Sequence, residues 1–190
     1  MATIAPLQPR RKKPMARIPY VPLDLDEPKE IVEAVRARRG GALRQLDRLL
    51  LHSPELTLGW NTFLGAVRTR LTLDPLLREL SVCAVAVLNQ AEYEYFHHAP
   101  EFLKAGGTQA QLDALQRIPL AAVDIDLFNA KERAVLQLTI EMTQQVQVTD
   151  ATFAGVRGQL NETRAVVELV ATIATYNMVS RFLVALQVEH

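Results

Sequence analysis

From Pro28 onward, apolar residues recur at three- and four-residue intervals. Nowhere do they alternate with polar ones over the length of a strand, so the expected fold is all helical. A first helix is predicted over 28–39, with Ile31, Val32 and Val35 on one face and Gly40-Gly41 ending it. A second is predicted over 42–51, with Leu43, Leu46, Leu49 and Leu50 at helical spacing. Ser53-Pro54 pairs an N-cap with a first-turn proline and opens a third helix carrying Leu56, Trp60, Phe63, Leu64 and Val67. Asp74-Pro75 repeats that signal. The helix it starts, to about Leu88, is apolar nearly all round from Val82 and is expected to be buried on most sides.

Asn89-Gln90-Ala91-Glu92 has capping-box spacing, which predicts a short break and a new helix to Ala105, closed by Gly106-Gly107. Pro100 falls inside that helix, where a missing N–H costs roughly 3 kcal/mol in a regular interior and predicts a kink. Thr108 with Gln111 opens a short helix to about Arg117, and a loop containing Pro119, Asp124 and Asp126 follows. Further helices are predicted over 129–145, over 150–160 behind Thr149-Asp150, and over 162–187 behind Asn161. The chain thus reads as an extended or disordered tail over residues 1–24 and a single helical domain over 25–190.

The tail carries five prolines between residues 6 and 22 and a basic run, Arg10 to Lys13, with no apolar segment after it. It is not a secretory signal, and Met15 is a candidate alternative start. Lys plus Arg equal Asp plus Glu at 21 each, so no bulk charge calls for nucleic acid or anionic lipid. No apolar run is expected to span a membrane. The single cysteine, Cys83, excludes a disulfide framework or thiolate-rich metal site and fits a cytoplasmic setting.

Chemistry concentrates in residues 78–107. Glu79 has Leu76, Val82, Cys83 and Ala86 as helical neighbours, so its carboxylate faces the apolar side and must pair, hydrogen-bond or stay protonated. It reads either as a proton relay or as a satisfied ion pair. Glu94 and His98 are four apart and share a face, so Glu94 is expected to orient the imidazole for acid–base work. Their place in the first turns of a helix predicts that Glu94 stays ionised. An ordinary surface pair is the alternative. Glu92, Glu94, His97 and His98 are metal-ligand types, but His97 and His98 point about 100° apart, and no metal is expected. Trp60, Tyr93 and Tyr176 are candidate cleft walls, and Arg181 is a candidate carboxylate receptor.

Arg78-Glu79-Leu80, the apolar run to Asn89, Tyr93-Glu94-Tyr95, His97-His98 and Ala105-Gly106 resemble the carboxymuconolactone decarboxylase family. The last helix, 176–183, resembles that family's as well, and the core of the resemblance covers about residues 70–120. It implies an AhpD-like helical array packed around a central buried helix and its following kinked helix, in a homo-oligomer. The AhpD-like branch reduces hydroperoxides through a Glu, a Cys-x-x-Cys and a His. Laid on this chain, that motif puts the Glu on Glu79 and the His on His98. The two cysteine positions fall on Ala91 and Glu94, so a dithiol relay has neither thiol. The Tyr-Glu-x-x-x-His form resembles the decarboxylase-like branch instead. It implies cofactor-free proton transfer on a small carboxylated lactone or keto acid, with His98 as general acid or base, Glu94 orienting it, and Glu79 a relay or neutral donor.

Three functions compete on this reading. One is a cofactor-free lyase or isomerase. Another is a hydroperoxide reductase with peroxiredoxin-type activity, working through Cys83. The last is a non-catalytic helical module with a collapsed cleft and a salt-bridged Glu79.

Overall fold

The computed structural model describes residues 16–118 and 120–189. The basic run at 10–13, Met15 and Pro119 therefore lie outside the described residues. Among those described there are nine α-helices and no strand. They are α1 (Lys29–Arg39), α2 (Gln45–Leu50), α3 (Pro54–Thr69), α4 (Pro75–Leu88), α5 (Glu92–Lys104), α6 (Gln109–Leu115), α7 (Ala130–Gln144), α8 (Asp150–Gln159) and α9 (Thr163–Leu186). A 3-10 turn, Leu120–Val123, lies between α6 and α7.

The central element is α4, which packs against α5, α7 and α9. Asp74 caps it by accepting the Leu76 N–H at 2.9 Å, and Pro75 occupies the first helical position. Every residue from Glu79 to Ala86 is buried. The small side chains of Ser81, Cys83, Ala84 and Ala86 let neighbouring helices approach on all sides, and each large apolar side chain buried there contributes about 1.5–3 kcal/mol. On α3, Trp60, Leu64 and Val67 turn inward, while Leu56 and Phe63 face outward and are about half exposed.

The break after α4 forms differently from the capping box expected. Asn89 is the C-cap of α4, and Gln90 adopts a left-handed conformation with φ of 54°. The Ala91 N–H reaches back to the Ala86 carbonyl at 2.8 Å and the Gln90 N–H to Val87 at 3.1 Å, a Schellman closure. The Asn89 side chain is committed elsewhere, donating to Asn177 Oδ1 at 3.0 Å and Ser180 Oγ at 2.7 Å on α9. Residue Ala91 then stands at the head of α5 with no side-chain cap. Similarly, Glu162 rather than Asn161 precedes α9, again without a side-chain cap. The other end of α5, which contains Pro100, closes as expected. Gly106 takes φ of 102°, the Gly107 N–H bonds the Phe102 carbonyl at 3.0 Å, and a β-carbon at Gly107 would collide with the Phe102 ring.

A second, smaller apolar cluster joins Val32, Val35, Leu43 and Leu51 under Val21, Leu25 and Ile31. Residues ahead of α1 are tied across this part of the molecule. The Arg17 N–H donates to Leu186 at 2.9 Å, Arg48 Nε to Val21 at 2.7 Å, and His52 Nε2 to Pro19 at 2.7 Å.

One sequence expectation needs correcting here, because α9 does have the length and apolar composition of a membrane span. Half of that apolar window is buried within the protein. Its polar groups are used internally as well. Glu168 accepts the N–H groups of Thr72 and Leu73, both at 2.7 Å, and Asn177 donates to Thr143 at 2.9 Å. These are the marks of a core helix.

Candidate functional site

A narrow cleft lies beside the start of α5. The first turns of that helix present Tyr93, Glu94, His97 and His98 to it; α3 adds Trp60, Leu64 and Arg68, α9 adds Tyr176, Val179 and Leu183, and the α1–α2 segment adds Arg38, Arg39, Arg44 and Leu46. Three of the four predicted binding residues, Trp60, Tyr93 and Tyr176, therefore line one space with Glu94 and His98. Arg181 does not. It is exposed, and its guanidinium folds back onto its own helix, donating to the Asn177 carbonyl at 2.8 Å and to Asn177 Oδ1 at 2.6 Å.

The pairing expected within α5 is replaced by one between helices. His98 Nδ1 donates to Glu79 Oε2 at 2.6 Å, across the α4–α5 contact, and Arg78 Nε donates to Glu79 Oε1 at 3.1 Å. Spacing along one helix could not reveal this, because the partner lies on the preceding helix. Burial pushes the Glu79 carboxyl up, but the hydrogen bond from His98, followed by the bond and charge of Arg78, outweighs it and holds the group below its ordinary value. Burial pushes His98 down, and Glu79 only partly restores it, so the net shift is downward. Glu79 is thus ionised and His98 neutral, with its proton on Nδ1. The other nitrogen, Nε2, makes no hydrogen bond among the described residues and carries the lone pair. Tyr176 steadies the ring edge-on, with centroids 4.8 Å apart.

Glu94 is left alone. It is 2% exposed, and neither carboxylate oxygen has a hydrogen-bond partner among the described residues. Burial raises its pKa well above the ordinary value. The expectation that helix position keeps Glu94 ionised therefore fails: a helix N-terminus offers at most about 1–2 kcal/mol, less than the cost of desolvating an unpaired carboxylate. Glu94 is a neutral carboxylic acid able to donate a proton into the cleft.

The arginines escaped sequence reasoning because they are scattered over three elements. Asp47, 1% exposed, accepts Arg39 Nε at 3.1 Å and Nη2 at 2.8 Å, and Arg38 Nη2 stands 3.6 Å from the same oxygen. Arg38 Nε also bonds Asn61 Oδ1. Burial, then the charge of Arg39, lowers the Arg38 pKa to about 10. His97, whose pKa falls to about 4, is shifted first by burial and then by Arg44, His98, Arg39 and Arg68. Among the described residues, no cluster of three or more His, Cys, Asp or Glu side chains could hold a metal ion.

Residues 54–141 match the profile of the carboxymuconolactone decarboxylase family. The matched region contains Glu79, Glu94, His98 and Arg68, whereas α1, α2 and α9 lie outside it. Solved structures share the fold over nearly the whole chain. A peroxidase-related protein from Silicibacter sp. TM1040 is 17% identical, with 95% of this chain and 94% of that one covered and a TM-score of 0.74. An AhpD-core peroxidase-related protein from Ralstonia eutropha JMP134 is 18% identical over 93% and 92%, with a TM-score of 0.75. The debrominase Bmp8 is 14% identical over 88% and 89%, with a TM-score of 0.71. At these identities they show the fold alone, an AhpD-like helical array. No curated protein matches the sequence significantly.

Proposed function

We propose that this chain catalyses cofactor-free acid–base chemistry, a decarboxylation or isomerisation, on a small carboxylated lactone or keto acid. The observation carrying it is the pair of opposite proton-transfer groups in one cleft: Glu94, a buried acid with no partner, and His98, a neutral base fixed by Glu79. Groups whose surroundings hold them in opposite protonation states suit general acid and general base roles near neutral pH.

In an isomerisation, His98 Nε2 takes the proton α to the substrate carbonyl. Glu94 donates to the carbonyl oxygen as charge develops there, and the enol is reprotonated at another carbon. In a decarboxylation, the C–C bond to the carboxylate breaks and its electron pair enters the adjacent carbonyl, giving an enol protonated by Glu94. Carbon dioxide leaves, solvent protonates the carbon that carried it as the enol returns to the ketone, and the enol O–H proton goes back to Glu94. Glu79 acts through His98, setting its tautomer and orientation.

A thiol-dependent hydroperoxide reductase is less well supported. Ala91 and Glu94 stand where that branch has its cysteines, and Cys83 is fully buried, with burial and then the charge of Glu79 pushing its thiol up. Glu79 is salt-bridged, as a non-catalytic module would have it, but an unpartnered buried carboxyl at Glu94, lining the cleft, favours the catalytic reading. A homo-oligomer in the cytoplasm completes the proposal; the outward-facing Leu58 and Phe63 on α3, 45% and 48% exposed, support the assembly.

The test is turnover of a panel of carboxylated γ-lactones and β-keto acids by wild type, His98→Ala and Glu94→Gln. Both variants should keep the wild-type circular dichroism spectrum and lose at least a hundredfold in kcat/KM. Full activity in both variants removes the assigned roles.

A further inference from the structure

Two of the four cleft arginines have no counterion among the described residues. Asp47 is committed to Arg39 and Arg38, and its second oxygen accepts the Arg44 backbone N–H at 3.0 Å. Glu94, the carboxyl that lines the cleft, is held neutral by burial. The guanidinium groups of Arg44 and Arg68 make no ion pair or hydrogen bond among the described residues, although both are partly buried and line the cleft. Arg68 and Arg44 line the same cleft as His98, Tyr176, His97 and Tyr93.

Unpaired guanidiniums beside an unpaired buried acid form a space with excess positive charge and no internal anion to neutralise it. A planar fork of donors suits a carboxylate, which it binds bidentately. An anion held there would lie against the electropositive wall with the acid and the base within the same cleft.

We propose that Arg44 and Arg68 are the specificity-determining pair that holds the substrate's carboxylate. This rests on the acid–base reading of the cleft and adds to it the group that selects the substrate. Arg68 lies inside the family region, but Arg44 lies ahead of it, on the loop into α2. Half of the anion recognition is therefore contributed by sequence that the family profile does not cover.

Trp60 is the only tryptophan in the chain and lines the cleft, so its emission reports occupancy directly. The probe is succinate, with uncharged succinamide as the control of matched shape. Succinate should change the Trp60 signal saturably, bind more tightly than succinamide, and weaken as sodium chloride is raised. Arg44→Gln and Arg68→Gln should each weaken succinate about tenfold or more, with Lys at either position restoring part of the loss. Succinate binding no tighter than succinamide, or unchanged in both Gln variants, overturns the assignment. That result would leave the acid–base roles intact, since those depend on turnover in the His98→Ala and Glu94→Gln proteins.

Discussion

Glu94 should cost the folded protein stability, and the cost should grow with pH. Its carboxyl is buried, lacks any partner for either oxygen among the described residues, and has a pKa raised well above the ordinary 4.5. In the unfolded chain the group loses its proton near its ordinary value, while in the fold it keeps it. Between those two pKa values the native state binds more protons than the unfolded state, so stability falls as pH rises. The slope is about 1.4 kcal/mol per pH unit while Glu94 stays protonated in the fold and ionised in the unfolded chain. It flattens once pH passes the folded value. Glu94→Gln removes this titration but retains a neutral, unpartnered side chain of nearly the same shape. Near pH 4.5 the two proteins should differ little. As pH rises above that value the variant should gain stability relative to wild type, until pH passes the folded value of Glu94. Urea unfolding of both proteins at pH 4.5, 5.5, 6.5 and 7.5, with the slopes of the transitions compared, reads this directly. A constant difference across that range, or a variant that becomes relatively less stable as pH rises, would show that Glu94 is ionised in the fold and would refute the assignment of a neutral acid.

Two shorter predictions bear on the alternatives. Cys83 is fully buried, so native protein should react with a thiol reagent only at the rate of unfolding, and Cys83→Ser should keep turnover within about twofold of wild type; hydroperoxide reduction lost specifically in that variant would restore the thiol reading. Phe63→Glu places a charge on the outward face of α3, 48% exposed, and should lower the sedimentation mass of an assembled protein without changing its helicity; an unchanged oligomeric mass would move the interface elsewhere.

The helices were legible because local signals dominate them. Asp74-Pro75 and Ser53-Pro54 start α4 and α3 at the positions read from sequence, and Thr108 with Gln111 forms the expected reciprocal cap. Where a side chain found a better partner far along the chain, local reading failed. Asn89 was read as the cap of the next helix and instead bonds Asn177 and Ser180, 88 and 91 residues away. The site shows the same division. Periodicity put Glu79 on an apolar face and Glu94 and His98 on a common one. Which carboxylate meets the imidazole depends on how α4 lies against α5, and that contact reverses the expected roles of Glu79 and Glu94. Arg44 and Arg68 sit on ordinary partly exposed positions, and nothing in their neighbouring residues distinguishes them from other surface arginines.

Because α4 has no face of its own for water, its timing during synthesis matters. It leaves the ribosome when only the earlier helices exist and, soon after, can gain α5. Two of the helices that cover it, α7 and α9, are among the later elements made. Until α9 emerges, the segment from Leu80 to Ala86 is an apolar surface awaiting its cover, with the prospective His98–Glu79 pair already adjacent but unshielded. Nascent chains halted between α6 and α9 should therefore be the ones most readily taken up by chaperones or lost to aggregation.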